Sequence, residues 1–113
     1  MADPTQEQLD KIKAAHPGIE LYALIAASAD GSRSVSVIVK VPDRARWIRF
    51  KEQAADKNRK ALATESLVRD CVLHPGAAEL DSMIEKRPGL VESFGAEIAA
   101  LAGIEETVVA KKV

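Results

Sequence analysis

The hydrophobic positions change period several times along the chain, and each change marks an element. Near the N-terminus Leu9 and Ile12 stand three apart, behind Thr5 and Gln8 in a capping-box arrangement. This predicts a helix over residues 5–15, stopped by His16-Pro17-Gly18. The period then falls to two. Runs at 19–27 and 33–41 flank Ala29-Asp30-Gly31-Ser32, and Asp-Gly between apolar runs is a hairpin cue. Val35, Val37, Val39 and Val41 alternate with Ser34, Ser36, Ile38 and Lys40, the pattern of a strand with one buried face.

After Pro42 the period lengthens again. Asp43 is a candidate N-cap, and Trp47, Phe50 and Ala54 form a helical stripe, with Arg46 and Arg49 projecting elsewhere. Asp56-Lys57-Asn58 breaks the pattern. A further helix is expected over 59–73, with Thr64, Leu67, Val68, Cys71 and Val72 inward and Glu65–Arg69 as an i,i+4 pair. Two Pro-Gly marks, Pro75-Gly76 and Pro88-Gly89, then separate a short helix at 77–86 from a last one carrying Leu90, Val91, Phe94, Ile98 and Leu101. Gly95 inside that helix costs up to ~1 kcal/mol against Ala, which points to close helix contact. Gly103 is placed as its C-terminal stop.

The expectation is therefore an α+β fold: an N-terminal helix and β-hairpin followed by a bundle of about four helices. Residues 1–103 form one domain and 104–113 a flexible tail, or a strand once bound. With 113 residues there is room for one core. Aromatic residues are only 4%, so that core is built from aliphatic side chains and is thin, which favours association with a partner or with further copies.

Charge changes this picture little. The net charge is −1, giving no global attraction to nucleic acid or membrane. Residues 1–60 carry 11 Lys/Arg and 8 Asp/Glu, and residues 61–113 carry 5 and 9, so the halves are +3 and −4. Such asymmetry suits head-to-tail contacts between copies. No apolar run is long enough to span a bilayer, and no secretory signal pattern opens the chain, so a cytoplasmic location is expected.

Candidate chemistry is sparse. Cys71 and His74 would share a helix face, the spacing of a nucleophile and its base. Cys71 falls within the apolar stripe, however, and His74 in the last helical turn, where both read as structural. His16, His74 and Cys71 lack the ligand spacing of a zinc site. No phosphate loop, nucleophile elbow or metalloprotease motif is present. The reading is non-enzymatic, with no cofactor, metal or catalytic residue assigned. Residues 42–60 hold 7 basic and 3 acidic groups around Trp47 and Phe50. Arg44, Arg46, Arg49, Lys51, Lys57, Arg59 and Lys60 thus raise a second possibility, a nucleic-acid-binding regulator using the basic helix 44–60, against which the balanced overall charge counts.

The order of features carries a resemblance. A valine-rich hairpin precedes a proline and a helix with R-W-I-R-F-K. Then come L-V-R-D-C-V-L-H-P, E-L-D-S-M-I-E, E-K-R-P-G-L and a helix ending L-A-G. Over residues 21–103 this resembles the small tail-assembly chaperone proteins of long-tailed bacteriophages and prophages. The resemblance implies a non-enzymatic protein in the cytoplasm of an infected or lysogenic bacterial host. It implies association with the tape-measure protein, assistance to tail-tube subunits, and homo-oligomerisation. It also raises a ribosomal frameshift at Lys111-Lys112, an idea that codons without a slippery heptamer would remove. The alternative within the same setting is a structural tail or head-completion subunit. The expected partner-binding residues are Tyr22, Leu24 and Ile38 on the exposed side of the hairpin, and Trp47 where it is not buried.

Overall fold

A computed structural model describes residues 4–103 and 106–113. Five helices and a three-stranded antiparallel sheet follow the order α1 (Gln6–Ala15), β1 (Leu21–Ala27), β2 (Ser34–Lys40), α2 (Arg44–Ala55), α3 (Lys60–Cys71), β3 (Val72–His74), α4 (Ala77–Lys86) and α5 (Leu90–Leu101). The fold is α+β, with the hairpin after the N-terminal helix and four helices beyond it.

The local signals act as their chemistry dictates. Thr5 accepts from the Gln8 amide while the Gln8 side chain accepts from the Thr5 amide, closing the capping box. Asp43 accepts from the Arg46 amide at 2.8 Å and starts α2. The hairpin turn is tied through Asp30, which accepts from the Ser28 and Ser32 hydroxyls, each at 2.7 Å, and from the Ser32 amide at 2.9 Å. Gly31 takes φ +73°, a conformation that costs glycine little. Gly103, at φ +100°, follows the last helix as its stop.

The sheet order is β1-β2-β3. Sequence patterning missed β3. Residues 72–74, expected as the last helical turn, leave α3 and pair with β2, Val72 opposite Val39 and His74 opposite Ile38, with a bulge between the pairs. Val72-Leu73-His74 before a proline reads equally as a helix end or a short extended segment, and the neighbouring strand decides it. His74 therefore does not share a helix face with Cys71 and does not face a helix C-terminus.

One core cluster joins Val37 and Val39 of the sheet to Leu67, Val68 and Cys71 of α3, Met83 of α4, and Val91, Phe94 and Ile98 of α5. α3 and α5 meet closely at Gly95. A methyl group there would lie 2.4 Å from Thr64 Cγ2, so the glycine is required by proximity. α1 buries no residue. Residues 106–113 carry no secondary structure and are exposed; residues 104–105 of the expected tail lie outside the described residues. No described helix is long and apolar enough to cross a membrane.

Candidate functional site

Helix α2 presents its apolar stripe only partly to its own core. Trp47, Phe50, Lys51, Ala54 and Ala55 recur at helical spacing along it, and Ala102 and Gly103 close the far wall. Together they line a groove of about 540 Å³. Trp47 and Phe50 pack as a tilted pair with ring centroids 5.2 Å apart. Both rings are half-buried against the core, with their remaining surface in the groove. The alanines leave its floor open, and Lys51 is the only ionisable group among the described lining residues. A surface of this kind, apolar with an alanine floor and one lysine at its side, has the shape and chemistry to receive the apolar face of a helix.

The expected partner-binding residues do not form one patch. Tyr22 is exposed on β1, with its hydroxyl donating to Glu20 at 3.3 Å. Leu24 is half-buried and packs against the core. Ile38 is only 6% exposed. Its placement on an open hairpin side is corrected by β3: β2 is the central strand, and Ile38 lies between Ala23 and His74. Ile25, with 74% exposure, stands on the hairpin surface in its place. The first strand is an unbroken apolar run over 21–27, with no alternation to show which of its residues face outward.

The basic helix is also rearranged. Arg46 was expected to project away from the core, yet it is 7% exposed. Its Nε donates to Asp70 at 2.5 Å and its NH2 group donates to Ser66 at 3.1 Å, locking α2 to α3. Its other terminal nitrogen is buried without a hydrogen-bond partner among the described residues. The central arginine of the supposed nucleic-acid face is thus withdrawn from solvent. Nearby, Arg69 pairs with Glu65 at 3.5 Å, as the i,i+4 spacing predicts, and with Asp81 of α4. The Asp81 contact, with Glu65 beside it, holds the Arg69 proton more firmly than usual. Cys71 is fully buried, and desolvation pushes its thiol up from the ordinary range, away from the nucleophilic thiolate.

Comparison with curated proteins finds no match. Among solved structures, the fold is similar to "Structure of uncharacterised protein rbstp2171 from bacillus stearothermophilus", with TM-score 0.71 and 18% identity over 91% of this chain and 99% of that chain. The superposition establishes a shared fold, and at this identity the fold alone. The family profile described as a domain of unknown function (DUF6848) matches residues 12–111, most of the length, and the chain belongs to that family.

Proposed function

We propose that the protein is a non-enzymatic tail-assembly chaperone of a long-tailed phage or prophage, which holds segments of the tape-measure protein while tail-tube subunits assemble. The observation that carries the reading is the stripe of α2 that the core leaves partly uncovered. Trp47, Phe50, Lys51, Ala54 and Ala55 offer an amphipathic helix the i, i+3, i+4, i+7 anchoring surface that helix-in-groove recognition uses. A long helical client presents many such segments, and a shallow, alanine-floored groove accepts them without demanding one sequence. The order of motifs over residues 21–103 supports the same reading. The withdrawal of Arg46 onto Asp70 counts against the nucleic-acid alternative, because it removes a cation from the proposed contact face.

The test is co-expression with the tape-measure protein encoded in the same genome. A chaperone raises the soluble yield of that client, co-purifies with it, and is absent from finished tails. Stoichiometric presence in mature particles would favour the structural-subunit alternative instead. Failure to bind the client would remove the proposal.

A further inference from the structure

The edge of the sheet opposite β3 is open. Ser28 N–H donates to Arg33 C=O at 2.8 Å, and Val41 N–H donates to Glu20 C=O at 3.2 Å. These are hydrogen-bonded pairs of the antiparallel ladder, and the register carries the same parity to Tyr22, Leu24 and Ala26. The peptide groups of Leu21, Ala23, Ile25 and Ala27 therefore point away from β2. No strand among the described residues takes them up. Beside this edge, Leu24, Ala26, Leu90, Phe94 and Glu97 line a groove of about 670 Å³ against α5. Its only described charged lining residue is Glu97.

The chain also carries a segment of matching chemistry. Residues 106–113 read E-T-V-V-A-K-K-V, β-favouring and basic toward the end. They adopt no secondary structure, and Val108 and Val109 are 90% and 71% exposed. Extended at ~3.3 Å per residue, they match the seven residues of β1 in length. Lys111 and Lys112 complement Glu97 in the groove and Glu20 at the strand's start. The tail stands in solvent while the edge of its own chain stays open, so neither is satisfied within one copy.

We propose that residues 106–113 of one copy add as a strand to the β1 edge of a second copy, with the valines against Ile25 and the groove and the lysines toward its acidic side. Main-chain hydrogen bonds to Ala23 and Ile25 supply affinity, as in strand addition generally. A reciprocal exchange closes as a two-fold dimer. The surface is distinct from the Trp47 groove, and the pairing does not rest on the chaperone reading.

Two surface substitutions test it by sedimentation of the full chain. Ile25→Lys places a charge on the open edge, a device that blocks strand addition. Val109→Asp spoils the tail and leaves the edge intact. The parent is expected as a two-copy species, and each variant as one copy with its helical circular dichroism signal unchanged. Mixing the variants should restore a two-copy species containing one of each, because one good tail still meets one good edge. A one-copy parent overturns the proposal, including the case in which its own tail protects the Ala23 and Ile25 amides from hydrogen exchange. Variants that keep the parent's mass, or a mixture that stays at one-copy mass, overturn it equally.

Discussion

Arg46 sits in a run of basic residues and is nonetheless inside the molecule, because Asp70 and Ser66 on α3 receive its guanidinium. Removing the carboxylate leaves a buried cation with one neutral partner. Asp70→Ala is therefore expected to cost about 1–3 kcal/mol, since the half-exposed Asp70 keeps part of the pair solvated. Urea denaturation measures this, and an unchanged midpoint would show that the pair adds nothing. Cys71 supplies a second residue-scale expectation. A fully buried thiol held protonated reacts with a disulfide reagent only when the core opens. Labelling should follow global unfolding, and rapid labelling of the native protein would contradict that burial.

Elements were legible in proportion to how local their causes are. The capping box, the Asp43 cap, the hairpin turn and the residue 77–86 helix depend on neighbours a few positions away, and all form. β3, the burial of Ile38 and the burial of Arg46 depend on contacts 20 to 40 positions distant, which periodicity does not encode. Of the expected site, Trp47 is half-buried beside a groove, whereas Ile38, on the central strand, is buried. Gly95 was legible because a glycine within a helix needs a reason. Gly95→Ala gains up to ~1 kcal/mol of helix propensity but drives a methyl into Thr64, an overlap of the kind that costs ~1–3 kcal/mol. The variant should be less stable, and adding Thr64→Ser, which deletes the offending methyl, should recover most of the loss in a double-mutant cycle. The hairpin turn has a pH signature. Hydrogen bonds from Ser28 and Ser32 lower Asp30 from 3.8 to about 2. Its contribution to the turn is complete above the ordinary carboxylate value and is lost as pH falls through about 2. The amide resonance of residue 32 should titrate near that lower value in the native protein, and at a higher pH, closer to the ordinary value, after Ser28→Ala with Ser32→Ala, which leaves the backbone hydrogen bond in place.

At the scale of the whole molecule, the radius of gyration is 15.5 Å, above the ~13 Å of a compact chain of about 100 residues. The excess fits a helix α1 that buries nothing and a tail that stands in solvent. The groove and the open edge share Trp47, Phe50 and Leu24 with the rim of the core, so they are altered without unfolding only at exposed positions such as Ala55 and Ile25. Cys71 is enclosed in the core and His74 lies on β3, while the proposed helix capture draws on an apolar stripe of α2 that the core leaves partly uncovered. Ala55→Lys tests that central claim most directly. It adds a charge to the groove, and it does so at the end of α2, where a cation suits the helix dipole and the fold is preserved. Binding of the tape-measure protein to the native chain and to this variant should be measured by calorimetry. The account predicts binding by the native chain and a loss of at least tenfold, about 1.4 kcal/mol, in the variant; equal affinity for the two would contradict it.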